Sequence, residues 1–338
     1  MYQNELSTRK MLPKISVVFR LYENFSLDRV FLTIQSLKLQ KKIDLEIIVS
    51  EEGKESKFQK NELVGVTHIF QKNTTHKYNM GKILNRGAIQ AKGDFLYFNE
   101  SDILLLNSNY LYELTKIINT SENMVLLRPP LIRLPQSQFE KFLDIANNEN
   151  LIKAIQSLDF SQKFIATLDE EKKEIQIGKY FGKNLTNNKK SLYFFSYLSE
   201  DFYTCFNEQT IIPNNIFKAL PFYMFMSNKH WGGMFIKKNN FLNIGGYCEN
   251  YFNWGVEDSD IQWKICQCLA IKQIPNYRRF KVLHLDHIRN HINYLLYQIN
   301  RKTFLKRQNT PIQKILKKDI STLFKHFKNF TARNECTT

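Results

Sequence analysis

The stretch Asn-Tyr-Phe-Asn-Trp-Gly-Val-Glu-Asp-Ser-Asp-Ile-Gln-Trp-Lys, residues 250–264, organises this chain. It passes from aromatic residues through a Trp-Gly step into three acids, Glu257, Asp258 and Asp260, after which apolar residues resume. This order predicts a tight turn that leads into the first turn of a helix. Carboxylates at a helix start face unpaired N–H groups and the positive end of the helix dipole, so the acids fit a stabilising role as well as a chemical one.

The first hundred residues alternate between strand and helix patterns. Short apolar or β-branched runs predict strands at 13–19, 44–50, 64–70 and 95–98. Helical spacing of apolar residues predicts helices at 27–39 and 78–91, the second closed by Gly93 as its C-cap. Such alternation is typical of an α/β domain with a mostly parallel central sheet, in which ligands bind beyond the carboxyl ends of the strands.

Acidic residues follow three of these strands. Glu23 comes after the first, Glu51 after the second, and Glu100-Ser101-Asp102 after the fourth. Alternating positions of an extended segment place the carboxylates of Glu100 and Asp102 on one side. Two carboxylates that face one way repel each other unless a cation lies between them, and oxygen ligands suit Mg²⁺ or Mn²⁺. The triplet therefore fits a metal site, with a solvated acidic loop as the alternative.

The composition is that of a globular protein large enough to bury a sizeable core. The chain has 338 residues, of which 43% are hydrophobic and 24% charged. No apolar run approaches the roughly 18 residues of a membrane span, and the N-terminal residues lack the apolar core of a signal peptide. Five cysteines, an odd number, favour reduced thiols and a reducing compartment. We therefore expect a cytoplasmic protein.

The net charge of +16 is unevenly distributed. From residue 301 onward, ten Lys or Arg stand against two acids, so half of the excess lies at the C-terminal end. This distribution favours a catalytic domain at 1–300, with an insertion or acceptor region at about 130–228, and a basic tail at 301–338. It argues against a globally basic nucleic-acid binder.

The tail has a helical pattern of its own. Apolar residues recur at helical spacing over 311–328 with lysines between them, which predicts a basic amphipathic helix. Such a helix either lies on an anionic membrane surface, here the inner face of the cell membrane, or packs on the catalytic domain with its lysines in water. The sequence leaves both arrangements open.

Three motifs follow one another along the chain: Tyr78-Asn79-x-x-Lys82-x-Leu84-Asn85-x-Gly87, the strand with Glu100-Ser101-Asp102, and Phe241-x-x-Ile244-Gly245-Gly246-Tyr247 running into Asn253-Trp254-Gly255-Val256-Glu257-Asp258-Ser259-Asp260. In these motifs and their order the chain resembles beta-1,4-galactosyltransferases. The amino-sugar-transferring domains of bacterial chondroitin polymerases are similar too. The resemblance covers roughly 14–102 and 231–291.

The resemblance implies a GT-A type nucleotide-sugar-binding fold that transfers the sugar with inversion and uses a divalent metal. It implies Asp258 as the catalytic base, with Glu257 beside it. It also implies a metal-binding histidine after the acidic block, for which His287 has the best spacing and His284 is the second candidate. The family's metal triplet usually reads Asp-x-Asp, whereas this chain begins it with Glu100, so Asp102 is the primary carboxylate ligand.

The remaining site residues follow from the same resemblance. Those expected to bind the donor nucleotide are Glu23, Glu51, Asn85, Glu100 and Asp102. Those expected to bind the acceptor or a sugar are Trp231, Gly245, Gly246, Trp254 and Gly255. The expected cofactor is Mn²⁺ or Mg²⁺.

The predicted function is transfer of a hexose or N-acetylhexosamine from a UDP-sugar to a hydroxyl of a glycan, a lipid-linked saccharide or a peptide, as in polysaccharide biosynthesis. Two alternatives remain open from the sequence. One is a basic protein that binds a polyanion or nucleic acid, and the other is a non-catalytic sugar-binding relative of the transferases.

Overall fold

The computed structural model describes residues 11–22, 25–59, 62–75, 77–134, 136–158, 164–169, 174–179, 192–195, 230–253, 255–275, 278–287 and 294–334. The strands are β1 (Lys14–Tyr22), β2 (Asp44–Gly53), β3 (Thr67–Lys72), β4 (Phe95–Asn99), β5 (Ile103–Leu105), β6 (Met124–Leu127), β7 (Leu131–Leu134), β8 (Phe164–Asp169), β9 (Glu174–Lys179), β10 (Leu192–Phe195), β11 (Met234–Lys237), β12 (Ala270–Gln273) and β13 (Val282–Leu285). The helices are α1 (Leu27–Lys38), α2 (Met80–Gln90), α3 (Tyr110–Ile118), α4 (Gln136–Asn148), α5 (Leu151–Gln156), α6 (Lys238–Asn243), α7 (Glu257–Cys268), α8 (Tyr294–Gln308) and α9 (Ile312–Asn334).

A seven-stranded sheet forms the centre of the molecule, in the order β12-β6-β11-β4-β1-β2-β3. Only β11 runs antiparallel to its neighbours, so the predicted α/β architecture with a mostly parallel sheet is confirmed. The alternation of strand and helix patterns over the first hundred residues identified β1 to β4, α1 and α2 correctly.

The inner strand β1 is covered on both faces. Its residues from Ile15 to Leu21 are buried, as expected for an inner strand of a parallel sheet. Val17 and Phe19 pack with α1 and α3, whereas Val18 points to the opposite face and packs with α2 and α7. Successive side chains of a strand alternate between faces, so β1 joins the two halves of the core.

Gly93 does not cap α2 as the sequence predicted. Ala91 is the C-cap residue, and its N–H bonds to the carbonyl of Gly87. The N–H of Gly93 donates instead to the hydroxyl of Ser16 at 2.8 Å. A Cβ at Gly93 would lie 2.6 Å from the Ser16 nitrogen, so glycine is needed there because β1 approaches closely.

Two small sheets accompany the large one. The sheet β5-β13-β7 lies at the candidate site, and the antiparallel sheet β10-β8-β9 lies within 164–195. The latter falls inside the region assigned to an insertion at about 130–228, and that assignment stays a prediction.

The C-terminal helices pack on the sheet domain. Helix α8 runs through position 300, which was the predicted end of the catalytic domain, and the predicted tail helix appears as α9. Ile315 and Leu323 of α9 are buried, while Lys314 and Lys318 are exposed. The apolar face of α9 therefore packs on the body with its lysines in water, one of the two arrangements left open. Among the described residues, no helix combines the length and the apolar character needed to cross a membrane.

A buried ion network fastens these two helices to α7. Arg307 of α8 donates to both carboxylate oxygens of Asp260, at 2.7 and 3.1 Å, and to both oxygens of Asp319 of α9, at 3.1 and 2.7 Å. Lys264 of α7 is fully buried and lies 2.7 Å from the Asp319 carboxylate. Tyr251 donates a hydrogen bond to Asp260. The third acid of the motif at 257–260 is thus a structural anchor.

Replacing Asp319 tests this network. Asp319→Ala leaves Lys264 and Arg307 as buried cations without that counter-charge, so the free energy of unfolding should fall by about 3–5 kcal/mol. Urea unfolding followed by circular dichroism measures the change. Lys318→Ala, one position away on the exposed side of α9, is the matched control and should stay within about 0.5 kcal/mol of the parent. Equal stability of the two variants would contradict the assignment.

Candidate active site

The pairing of β5 with β13 brings a carboxylate and two histidines together. His284 stands opposite Ile103 in this antiparallel pair, and the N–H of Leu285 bonds to the carbonyl of Asp102 at 2.9 Å. As a result, Asp102 Oδ2 lies 3.2 Å from His284 Nε2 and 3.1 Å from His287 Nε2. The possible ligand atoms of all three residues lie within 4.8 Å of one another.

The chemistry of this donor set fits a divalent transition-metal ion such as Mn²⁺. Burial acts to raise the pKa of Asp102, but the contacts with His284 and His287 hold that pKa well below its usual range. Asp102 is therefore a carboxylate at neutral pH, and carboxylate oxygen with imidazole nitrogen suits such metals. The three residues predicted as metal ligands, Asp102, His284 and His287, therefore lie together, and we call them the metal cluster.

His284 is oriented by a second carboxylate. Its Nδ1 lies 2.8 Å from Asp286 Oδ1, and Asp286 in turn lies 2.9 Å from the guanidinium of Arg133. A carboxylate behind a metal-binding histidine fixes the ring and directs its other nitrogen toward the metal. Here the Asp286 contact turns Nε2 of His284 toward Asp102.

A second cluster surrounds the buried guanidinium of Arg20, near the carboxyl end of β1. One terminal nitrogen of Arg20 lies 2.8 Å from Glu100 Oε1 and 3.8 Å from Asp258 Oδ2, and the other lies 3.1 Å from Glu257 Oε1. The sequence analysis missed Arg20. The signal was a lone arginine at the end of the apolar run Val17-Val18-Phe19, since a cation in a buried strand needs anionic partners.

The two adjacent acids of this cluster compete for ionisation. Burial and the charge of Asp258 raise the pKa of Glu257 to about 7, against the opposing effect of Arg20. Burial also raises the pKa of Asp258, and Arg20 lowers it. Adjacent acids of this kind titrate as a coupled pair, and the carboxylate form of either can accept a proton from a substrate.

The turn before α7 is held in an uncommon backbone conformation. Asn253, Gly255 and Val256 have φ angles of 57°, 102° and 80°. Left-handed geometry at a β-branched residue such as Val256 costs on the order of 1–3 kcal/mol and requires support from its surroundings. Asn300 of α8 provides such support by donating to the carbonyls of Phe252 and Gly255, at 2.9 and 3.2 Å. The predicted turn into an acidic helix start is confirmed.

Gly232 and Trp231 lie at the rim of the Arg20 cluster. A Cβ at Gly232 would lie 2.8 Å from Glu100 Oε1 and 3.6 Å from Asp258 Oδ2, so any other residue would crowd the carboxylates. The ring of Trp231 is 40% exposed and stacks on the guanidinium of Arg128, 3.9 Å from its centroid. An exposed aromatic ring of this kind presents a flat apolar surface on which a ligand can stack.

Three predicted site residues have packing roles in the structure. The amide of Asn85 donates to the carbonyl of Tyr247 and to Glu249, and its oxygen accepts from the N–H of Tyr247. Gly245 lies against the backbone of α9, where a Cβ would be 2.5 Å from the Ile320 nitrogen, and a Cβ at Gly246 would be 2.5 Å from Asn85 Oδ1. The predicted donor contact of Asn85 and the predicted sugar contacts of the two glycines stay predictions beside these packing roles.

Two further predicted residues, Glu51 and Gly255, lie within the described part of the chain. Glu51 lies within β2, which continues to Gly53, and its carboxylate bonds to His68, Ser56 and the N–H of Lys57. Gly255 lies in the strained turn, where a Cβ would be 2.8 Å from the ring of Tyr297. Glu23 and Trp254 lie outside the described residues.

A family model described as the N-terminal domain of galactosyltransferase matches residues 216–288. This stretch is galactosyltransferase-like. It includes Gly232, the acid pair Glu257 and Asp258, and both histidines of the metal cluster. The match supports a glycosyltransferase and spans less than half of the chain.

Other comparisons add little to this match. No curated protein matches the chain. The crystal structure of S. aureus TarS 1–349 aligns at 25% identity over 38% of this chain and 40% of that chain, with a TM-score of 0.28. The aligned part is less than half of either chain.

Replacing Asp102 tests the metal cluster. Asp102→Asn removes the anionic ligand while keeping the side-chain size, so Mn²⁺ affinity measured by isothermal titration calorimetry should fall by at least about 10-fold. Glu122→Gln neutralises an exposed acid outside the cluster and should leave the affinity unchanged. Equal Mn²⁺ binding by the parent and Asp102→Asn would exclude Asp102 as a ligand.

Proposed function

We propose that the protein is a metal-dependent inverting glycosyltransferase that moves a hexose or N-acetylhexosamine from a UDP-sugar to an acceptor hydroxyl. The observation that carries this proposal is the spacing of its two clusters along the chain. Glu100 belongs to the Arg20 cluster and Asp102 to the metal cluster, and two residues of extended chain span at most about 7 Å. A site for base chemistry and a site for a metal-bound diphosphate thus adjoin.

Asp258 is the proposed base. Its side chain is 21% exposed, whereas that of Glu257 is 2% exposed, so Asp258 is the member of the pair that an acceptor can reach. Among the described residues, one oxygen of each acid, Asp258 Oδ1 and Glu257 Oε2, is buried and has no hydrogen-bond partner. A buried acceptor atom of this kind calls for an explanation, and the hydroxyl of an incoming sugar supplies one.

The proposed reaction is a single displacement. Asp258 takes the proton of the acceptor hydroxyl as the oxygen forms a bond to the anomeric carbon. The bond between that carbon and the diphosphate oxygen breaks on the opposite face, and its electron pair leaves with UDP. Asp102, His284 and His287 would hold Mn²⁺ or Mg²⁺, which stabilises the negative charge on a departing diphosphate.

Arg20 is the proposed positioning residue for the base. Its charge favours the ionised forms of Glu257 and Asp258 against the effect of burial. Its contacts with Glu100 and Glu257 hold the loop after β4 beside the start of α7. Glu100 therefore belongs to the Arg20 cluster, and Asp102 is the proposed metal ligand.

The partners of the enzyme follow from the proposed chemistry. The donor is a UDP-sugar, with Glu23 and Glu51 as candidate nucleotide contacts. The acceptor is a glycan, a lipid-linked saccharide or a peptide, with Trp231, Trp254 and Gly255 as candidate contacts. The proposed location is the cytoplasm.

A donor screen tests the function directly. Each nucleotide sugar is incubated with the full chain and Mn²⁺, and released UDP is measured with and without candidate acceptors. Release from one UDP-hexose or UDP-N-acetylhexosamine, lost with a chelator, is the expected result. Salt-dependent binding of DNA or RNA without release from any nucleotide sugar would favour a polyanion-binding protein. Donor binding without release would favour a non-catalytic relative.

Asp258→Asn should separate chemistry from binding. A positioned base contributes roughly 10²–10⁴-fold to turnover, so kcat should fall by about that factor while Mn²⁺-dependent donor affinity stays near that of the parent. Glu55→Gln, which neutralises an exposed acid after β2, is the control. An unchanged kcat would remove Asp258 from the role of base.

Arg20→Met should change the pH dependence of transfer. The base works as a carboxylate, so activity rises with pH through its pKa. Loss of the neighbouring cation raises that pKa, so the acid limb of the pH–rate profile should move upward by roughly one pH unit or more. Arg20→Lys retains the positive charge, so the acid limb of its pH–rate profile should lie closer to that of the parent. If both folded variants keep the parent profile, Arg20 has only a structural role.

A further inference from the structure

Helices α8 and α9 expose one kind of charge. Every exposed charged side chain between residues 295 and 325 is a cation, namely Arg301, Lys302, Lys306, Lys314, Lys317, Lys318 and Lys325. The remaining charged residues of this segment, Arg307 and Asp319, are buried in the network with α7. The charge of the surface is therefore not neutralised by acids on the same helices.

The lysines of α9 lie on one side of the helix. At 100° per residue, Lys314, Lys317, Lys318 and Lys325 fall within an arc of about 100°. Ile315, Asp319 and Leu323 lie on the other side and are buried against the body. The apolar face of α9 is thus already buried against the body. An external partner would contact the lysines of the opposite face.

Helix α8 adds exposed apolar residues to the cations. Leu295, Ile299, Lys302 and Lys306 fall within an arc of about 60° and are all exposed, Leu295 to 70% and Ile299 to 49%. This stripe runs from apolar residues at the start of the helix to lysines near its end. We call the exposed stripes of α8 and α9 the basic surface.

The basic surface adjoins the candidate active site. Asn300, next to Ile299, holds the strained turn through the carbonyls of Phe252 and Gly255. Phe252 is itself 42% exposed. Leu295, Ile299 and Phe252 therefore bring large apolar side chains into water close to the turn that carries Glu257 and Asp258.

We propose that the basic surface docks the protein on an anionic lipid membrane. Anionic headgroups match a row of lysines without exposed acids, and each lysine near such a surface adds to the binding. Transfer of exposed Leu, Ile and Phe side chains from water to the boundary between headgroups and acyl chains lowers the free energy. A soluble polyanion matches the charge but offers no apolar layer, which is why the membrane is the favoured partner.

Binding to vesicles tests this proposal independently of sugar transfer. The full chain is mixed with phosphatidylcholine vesicles, with or without phosphatidylglycerol, and bound protein is measured by flotation at several salt concentrations. Binding is expected only with phosphatidylglycerol and should weaken as salt screens the charges. No binding to the anionic vesicles, or equal binding to both kinds, overturns the proposal.

Two variants map the surface. Lys314→Gln/Lys317→Gln/Lys318→Gln should weaken vesicle binding about 100-fold, and Leu295→Ser/Ile299→Ser should weaken it at least about 10-fold. Lys92→Gln/Lys141→Gln/Lys153→Gln removes the same charge from exposed positions elsewhere and should leave binding near that of the parent. An equal loss in this control, or no loss in the α9 variant, excludes a local docking surface.

Heparin provides a soluble polyanion for comparison. If the α9 variant loses heparin binding while the parent binds no vesicles, the surface recognises a soluble polyanion and the membrane proposal is wrong. UDP release measured without vesicles reports separately on the proposed transfer, so a failure of docking and a failure of catalysis are distinguishable.

Discussion

Arg20 places a permanent positive charge near the end of the inner strand β1, where it is 7% exposed. A buried guanidinium is tolerated only with anionic partners, and Glu100, Glu257 and Asp258 supply them. These acids come from the loop after β4 and the first turn of α7. One cation therefore ties together three parts of the chain separated by up to 238 residues in sequence.

A second network acts on the same helix from another side. Asp258 and Asp260 are two positions apart in α7, so their side chains point in directions about 160° apart around the helix axis. Asp258 faces Arg20, whereas Asp260 binds Arg307 of α8. The acids of one short motif are thus divided between the candidate site and the attachment of the C-terminal helices. Together the two networks, with the hydrogen bonds from Asn300, stabilise the strained turn before α7.

The metal cluster depends on a different constraint, the antiparallel register of β5 and β13. A shift of one residue would turn His284 to the other side of the strand and away from Asp102. Asp102 of this cluster lies two positions after Glu100 in sequence. Glu100 contacts Arg20, so the chain links the metal cluster directly to the Arg20 cluster. The arrangement gives the galactosyltransferase-like stretch a partner, Asp102, that lies outside the residues matched by the family model.

The sequence by itself determined the elements that depend on local pattern. These include the α/β alternation and the helix start at Glu257, because strand runs and helix periodicity are visible in short windows. The candidate ligands His284 and His287 came from the family resemblance, and the structure brings them to Asp102. Only the tertiary structure decided which groups meet. Arg20 gained its role, and Asn85, Gly245 and Gly246 gained packing roles, through neighbours more than 70 residues away. The burial of the apolar face of α9 depended likewise on Asp260 and Lys264. Pairing of buried charges and close backbone approach are long-range properties, so no local pattern specifies them.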